Sequence, residues 1–217
     1  MAVDGAAEVL AAIEAARIVP VVTLEDAADA VLLTEALVGG GLPVVEITLR
    51  TAAGLDALGA AASAGVPGAV LGAGTVLTPE DAEAAIDAGA RFVVSPGIVE
   101  DVVVTCHRRG VLVLPGIATP TELLRALALG CTTVKLFPAA VAGGPALIRS
   151  LTVLGTGARF VPTGGITPET APDYLAIEEV VAVGGSWMVR PDRVAVGDWA
   201  GIRRLAAQSA AIAAGQR

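Results

Sequence analysis

The sequence is poor in aromatic, cysteine and histidine residues, and each shortage excludes a class of protein. Aromatic residues make up 3% of the 217 residues, and there are two cysteines and one histidine. Two cysteines without metal-ligand spacing form neither a disulfide framework nor a zinc site, so no metal is expected. Hydrophobic residues nevertheless make up 54% of the chain. The core is therefore predicted to consist of Ala, Val, Leu and Ile side chains.

Positive charge is scarce as well. The chain has 14 Lys and Arg residues against 22 Asp and Glu residues, which gives a net charge of −8. Such an acidic chain is not suited to nucleic acid or an anionic membrane as a partner. The longest uncharged stretch, residues 57–79, is broken by the turn-forming segment Gly65–Gly68, so we do not expect a membrane span. Acidic residues precede the first basic residue, unlike in a signal peptide, and we expect a cytoplasmic protein.

Lysine is nearly absent, and the single lysine, Lys135, lies in the apolar run Thr133–Phe137. All the other residues among the 14 Lys and Arg are arginines, which cannot act as nucleophiles because they stay protonated. A lysine amine among apolar neighbours can become neutral and attack a carbonyl. The alternative is a lysine that extends its charged end to solvent from the end of a strand.

Short Val- and Ile-rich runs alternate with amphipathic segments, which is typical of parallel α/β folds. The runs are Ile18–Val22, Val44–Thr48, Ala69–Gly74, Phe92–Ser95, Val111–Leu114, Thr133–Phe137, Phe160–Thr163 and Val180–Val183. Thr23 and Thr78 precede acidic residues and are predicted to cap helices. Eight strand–helix units predict a single (β/α)8 TIM barrel over residues 1–217, with an extra N-terminal helix at about 4–16. A doubly wound open sheet is the alternative, but its early glycine fingerprint is missing.

In such a barrel the active site lies at the carboxyl ends of the strands. Alternation in the second predicted strand places Glu46, Thr48 and Arg50 on one face, which points into the barrel because the other face is apolar. The same alternation points Lys135 and Phe137 inward. A carboxylate inside an apolar barrel needs a partner or a function. A buried Glu46–Arg50 ion pair without a catalytic role is the alternative.

Two glycine pairs, Gly164-Gly165 and Gly184-Gly185, follow the seventh and eighth predicted strands. Glycines let backbone N–H groups approach an anion, and barrels frequently bind phosphate at these two loops. Tight turns without a ligand are the alternative. Thr75, after the third strand, can supply a hydroxyl to a carboxylate, and a plain turn is the alternative.

Several of these segments together resemble the 2-keto-3-deoxy-6-phosphogluconate (KDPG) and 4-hydroxy-2-oxoglutarate aldolase family, in order and in spacing. They are Arg17–Val21, Glu46–Arg50, Gly72–Val76, Ser95–Gly97, Lys135–Ala139, Pro162–Ile166 and Gly184–Trp187. The resemblance implies a metal-independent class I aldolase of the Entner–Doudoroff pathway, without a cofactor and usually a homotrimer.

The resemblance also implies roles for individual residues. Lys135 corresponds to the Schiff-base lysine and Glu46 to the general acid/base. The remaining site residues correspond to substrate contacts: Arg50 and Thr75 at the pyruvate carboxylate, Phe137 at the pyruvyl group, Thr163 at the hydroxyl near the cleaved bond, and Gly164, Gly165, Gly185 and Ser186 at the phosphate. Thr163 and Ser186-Trp187 favour the gluconate over the galactonate series. A sugar-phosphate epimerase or isomerase, or a non-catalytic sugar-phosphate-binding barrel, remains an alternative.

Overall fold

A computed structural model describes residues 3–215 of the chain. The strands are β1 Ile18–Val22, β2 Val44–Thr48, β3 Val70–Gly74, β4 Phe92–Val94, β5 Leu112–Leu114, β6 Gly116–Ile117, β7 Thr133–Leu136, β8 Arg159–Pro162 and β9 Val183–Gly185. The helices are α1 Val3–Ala16, α2 Ala30–Gly39, α3 Gly54–Ala64, α4 Pro79–Asp87, α5 Glu100–Arg109, α6 Pro120–Ala128, α7 Ala139–Ala142, α8 Gly144–Thr152, α9 Ala171–Leu175, α10 Pro191–Val194 and α11 Trp199–Ala214, with a 3-10 helix at Ala27–Asp29.

All paired strands are parallel, so the predicted α/β fold is confirmed. Six strands form a curled sheet in the order β5-β4-β3-β2-β1-β9, and three form a second sheet in the order β6-β7-β8. The predicted fifth strand, Val111–Leu114, corresponds to β5, which pairs with β4. The short strand β6, which was not predicted, follows after Pro115 and pairs with β7. The predicted sixth, seventh and eighth strands are therefore β7, β8 and β9.

The eighth predicted strand, Val180–Val183, is wrong in its bounds. The strand is Val183–Gly185, and Val180 forms only an isolated bridge with Phe160. Periodicity missed it because Gly184 and Gly185 have no side chain to continue an apolar pattern. Their place in a strand has a packing reason, since a Cβ atom on Gly184 would lie 2.3 Å from Thr163 Oγ1.

One predicted helix cap is correct and one is wrong. Thr78 caps α4 in a capping box, in which Asp81 N donates to Thr78 Oγ1 over 3.0 Å and Thr78 N donates to Asp81. Thr23 caps nothing. The 3-10 helix begins instead after Asp26, whose carboxylate accepts from Ala28 N over 2.9 Å. Asp26 suits the cap position because its short side chain can accept a hydrogen bond from the backbone N–H two residues later in the chain.

Helix α1 covers the amino-terminal ends of the strands. Val9 and Ile13 of α1 are buried in a cluster with side chains from several strands, including Val19, Phe92 and Val161. A second core cluster lies mainly between the strands and the surrounding helices. The interior is therefore packed at the amino ends, which leaves the carboxyl ends of the strands as the place for a site. None of the helices within residues 3–215 combines the length and apolarity needed to cross a membrane.

Candidate active site

The two most deeply buried ionisable side chains of the predicted site lie side by side. Lys135 Nζ on β7 is 3.3 Å from Glu46 Oε1 on β2, and each side chain is 5% exposed. The amine also lies 5.2 Å from the centroid of the Phe137 ring. The alternative of a Glu46–Arg50 pair is not what the structure shows, because the carboxylate faces the amine. The alternative of a lysine that reaches solvent is excluded by its burial.

The Glu46 carboxylate fits in this place because residue 74 on β3 is a glycine. A Cβ atom at position 74 would lie 2.1 Å from Glu46 Oε1 and 2.8 Å from its carboxyl carbon. Only glycine leaves room for the carboxylate beside β3, which is the strand next to β2. Glu46 is therefore packed against the sheet on one side and turned toward the amine on the other.

Arg50 and Thr75 form a second polar pair, just beyond the carboxyl ends of β2 and β3. Arg50 Nε donates to Thr75 Oγ1 over 3.1 Å. Thr75 has a φ of +60°, a left-handed conformation that is uncommon for a residue other than glycine. Strained residues of this kind often occur at ligand sites. Arg50 is exposed, so its remaining N–H groups can bind a carboxylate from the cavity.

A cavity of about 380 Å³ opens at the carboxyl ends of the strands. Seven of the predicted site residues line it, whereas Lys135, Glu46 and Thr75 lie beside or below the lining. The lining residues are Val21, Thr23, Arg50, Phe137, Thr163, Gly164, Gly165, Ile166, Gly184, Gly185, Ser186, Val189 and Pro191. Because Phe137 lines the cavity and also contacts the Lys135 amine, the ion pair lies at its base.

The two glycine pairs differ in structure. Gly164 and Gly165 have φ angles of +101° and +75° and form the turn after β8, as predicted. Gly184 and Gly185 lie within β9 and are buried, so the prediction of a glycine loop after the eighth strand is wrong. A Cβ atom on Gly185 would lie 1.8 Å from the Trp187 ring, which explains the glycine by packing. The exposed loop position there is Ser186.

Sequence reasoning missed Thr23 as a cavity residue. Val19, Val21 and Thr23 form one alternating series: Val19 belongs to the inner core cluster, and the other two line the cavity. A polar residue that continues this inward series directly after a strand is a signal that could have identified it. The residues from 3 to 215 contain no group of three or more His, Cys, Asp or Glu side chains that could hold a metal ion.

The site combines a buried amine and a carboxylate with an open cavity and an arginine. These are the groups that an enzyme needs to form imines with keto acids. The comparisons with known proteins agree with this class. A family profile described as "Aldolase: KDPG and KHG aldolase" matches residues 9–205. The chain belongs to the KDPG and KHG aldolase family.

Individual relatives resemble the chain over most of its length. The 2-dehydro-3-deoxy-phosphogluconate aldolase of Treponema pallidum is 46% identical over 198 residues, which are 91% of this chain and 94% of that protein. The Zymomonas mobilis ZM4 KDPG aldolase structure with 3-phosphoglycerate has a TM-score of 0.87 at 40% identity, and the match covers 93% of this chain and 94% of that one. A Legionella pneumophila KDPG aldolase structure holds pyruvate as a covalent carbinolamine. Its TM-score is 0.87 at 35% identity, with 91% of this chain and 96% of that one covered.

Proposed function

We propose that this chain is a class I aldolase that cleaves 2-dehydro-3-deoxy-6-phosphogluconate to pyruvate and glyceraldehyde 3-phosphate. The observation that carries the proposal is the Lys135–Glu46 pair, 3.3 Å apart and buried at the base of the cavity. Imine formation needs a neutral amine, and the adjacent carboxylate can take the proton that the amine gives up. The relatives named above carry the activity in their names, which supports the same reaction here.

The reaction follows from the placement of these groups. The Lys135 amine adds to the C2 ketone, and loss of water gives a protonated imine. Glu46 takes the proton of the C4 hydroxyl, the C3–C4 bond breaks, and its electron pair moves toward the imine nitrogen to give an enamine. Glyceraldehyde 3-phosphate leaves. The enamine gains a proton at C3, and water hydrolyses the resulting imine to pyruvate and the free amine.

The cavity wall provides the contacts for the rest of the substrate. Arg50, held by Thr75, binds the C1 carboxylate, and Phe137 packs against the pyruvyl group. Thr163 contacts the C4 hydroxyl. The phosphate lies against the backbone of Gly164 and Gly165 and against Gly185 and Ser186. A cavity of about 380 Å³ is in the range of small-molecule sites.

Five wider features belong to the same proposal. The two sheets form one closed (β/α)8 barrel in a single domain, supported by the change of neighbour at Pro115 and by the bridges Phe160–Val180 and Thr163–Gly184. The enzyme is a homotrimer and serves the Entner–Doudoroff pathway, which the family resemblance supports. Its place in the cytoplasm is proposed from the acidic start of the sequence. Light scattering tests the trimer. 4-Hydroxy-2-oxoglutarate is proposed as a side substrate, since the family name includes that activity.

Borohydride reduction in the presence of pyruvate tests the central claim. Lys135 is the only lysine, so the N-terminal amine is the only competing target. We expect inactivation and one adduct on the peptide that contains residues 133–137. Lys135→Arg retains charge and most of the side chain, so it should fold but form no adduct and cleave nothing. An active Arg variant would favour an epimerase or isomerase that needs no imine.

A further inference from the structure

We propose that Thr23 selects the substrate by accepting a hydrogen bond from its C5 hydroxyl, the hydroxyl that takes no part in bond cleavage. This inference rests on the proposed function, because it concerns the part of the substrate between the cleaved bond and the phosphate. Thr23 is exposed and lines the cavity.

The order of the strands places Thr23 between the two ends of the substrate. Strand β1, which Thr23 follows, has β2 on one side and β9 on the other. Arg50 follows β2 and offers its guanidinium to the carboxylate, whereas Ser186 follows β9 at the phosphate end. A substrate that reaches from one to the other must pass the end of β1. The atoms in its middle are C4 and C5 with their hydroxyl groups.

The register of β1 against β2 gives the depth of Thr23. Val21 is paired with Glu46, so Thr23, two residues on, is level with Thr48 and nearer the cavity mouth. Glu46 acts at the C4 hydroxyl, at the base of the cavity. The next group toward the phosphate is the C5 hydroxyl, which has no partner among the contacts assigned above.

The hydrogen bonds behind Thr23 make its oxygen an acceptor toward the cavity. Thr48 is fully buried, and its hydroxyl donates to the Val22 carbonyl oxygen over 2.9 Å. A carbonyl oxygen cannot donate, so this bond uses the only hydroxyl proton of Thr48. The Thr23–Thr48 bond, 2.8 Å long, is then made only if Thr23 donates. Thr23 therefore has its proton directed into the protein and its lone pairs free for the cavity.

An acceptor at this place distinguishes between substrates by the chemistry of their fifth carbon. A C5 hydroxyl can donate to Thr23. In 4-hydroxy-2-oxoglutarate, C5 is a carboxylate, which cannot donate and would place negative charge against the Thr23 lone pairs. The Thr23–Thr48–Val22 chain thus favours the phosphorylated, C5-hydroxylated substrate over the shorter dicarboxylate.

The test compares Thr23→Val, which replaces the hydroxyl by a methyl group, with Thr23→Ser, which keeps it. For each variant, kcat/KM is measured with KDPG and with its 5-deoxy analogue, and the ratio of the two values is taken. A neutral hydrogen bond contributes about 0.5–1.5 kcal/mol, so the wild-type ratio should exceed that of the Val variant by roughly 2- to 12-fold. Thr23→Ser should retain the wild-type ratio. The Val variant should also raise the relative use of 4-hydroxy-2-oxoglutarate.

Equal losses on both substrates in Thr23→Val would overturn the inference, because Thr23 would then only support the shape of the site. A wild-type ratio near one would overturn it too. Failure of the proposed function has a different signature. In that case the wild-type protein would trap no pyruvate with borohydride and would cleave neither substrate.

Discussion

At the scale of single residues, the proposed chemistry depends on one amine and one carboxylate that lie side by side in the interior. Removing one partner of a buried ion pair is usually destabilising, because the other charge is left without compensation. In the proposed mechanism this pair carries out the proton transfer, which gives a reason for taking both groups out of water. Substitutions here must therefore separate effects on folding from effects on chemistry.

Glu46→Gln keeps the shape of the side chain and removes its capacity to exchange protons. General acid–base groups contribute about 10²–10⁴-fold, and we expect kcat for cleavage to fall by that factor. The pyruvate adduct should still form under borohydride, since the amine remains. Single-turnover cleavage and adduct mass measure the two steps separately. If the Gln variant turned over at nearly the wild-type rate, Glu46 would have no part in proton transfer.

Gly74→Ala tests whether the position of the carboxylate matters as much as its presence. The three nearest contacts of an added Cβ atom are all atoms of the Glu46 side chain, the closest at 2.1 Å. We expect a folded protein in which Glu46 is displaced, with a large loss of kcat. Combining it with Glu46→Gln should cost little more, because both changes remove the same function.

Gly59→Ala is the matched control for that variant. Gly59 lies inside α3, and its added Cβ atom would meet only Ala88 Cβ, at 3.9 Å. Replacing a helical glycine by alanine stabilises a helix by about 1 kcal/mol, so Gly59→Ala should be slightly more stable and fully active. A Gly74→Ala enzyme with normal kcat would show that Glu46 tolerates movement.

At the scale of elements, alternation and strand order made much of the site predictable. Glu46 and Lys135 were both predicted to point inward, because the alternate residues of each strand are apolar and pack outward. Both side chains are buried, as that pattern requires. Glycine positions were less predictable. The same dipeptide forms a left-handed turn at Gly164-Gly165 and a buried strand at Gly184-Gly185. The side chains of Thr163 and Trp187 fill the space that a Cβ atom on Gly184 or Gly185 would need, and the sequence does not show that Thr163, 21 residues away, lies against Gly184.

The loop after β9 offers a clean test of phosphate recognition at Ser186. Gly185 is unsuitable, because any side chain there meets Trp187. Ser186→Ala removes an exposed cavity hydroxyl and little else. We expect kcat/KM for KDPG to fall by roughly 10- to 150-fold, as hydrogen bonds to charged groups are worth about 1.5–3 kcal/mol, and to fall less for 4-hydroxy-2-oxoglutarate.

Ser150→Ala is the control for Ser186→Ala. Ser150 is exposed on α8, and its hydroxyl donates to Ala146 O within the same helix. This variant should leave both substrates unaffected. An equal fall on both substrates in Ser186→Ala would place the phosphate elsewhere in the cavity.

At the scale of the whole molecule, α1 and the apolar cluster below it leave only one end of the strands open. Ion pairs connect α1 to Arg91, directly before β4, and to Arg159 on β8: Arg91 pairs with Glu8 over 2.9 Å, and Arg159 pairs with Glu14. Both pairs are partly exposed, so each contributes little to stability, and the burial of Val9 and Ile13 stabilises the packing of α1 more than they do. The core is also where the two cysteines lie, at Cys106 in α5 and Cys131 before β7.

The two buried thiols are expected to lower the free energy of unfolding at alkaline pH, because burial raises their pKa values. Burial raises the pKa of Cys106 to about 12 and that of Cys131 to about 11. An unfolded thiol has a pKa of about 8.5, so below that pH both states hold these protons and the thiols have no effect. As the pH rises further, the unfolded chain releases protons that the native state retains, so the free energy of unfolding falls. Each thiol should contribute a slope of at most about 1.4 kcal/mol per pH unit, up to its native pKa.

Urea unfolding between pH 7.5 and pH 10.5 measures this slope. The control is Cys106→Ala/Cys131→Ala, which should be less stable at pH 7.5 because it loses buried side-chain volume, yet lose less stability as the pH rises. Tyr174 and the other titrating groups are common to both proteins, so the difference in slope isolates the thiols.

Iodoacetamide at pH 7.5 should label neither cysteine in the native protein and both in urea. Identical slopes, or rapid native labelling, would mean that the thiols are accessible in the folded state and that this part of the core opens without global unfolding.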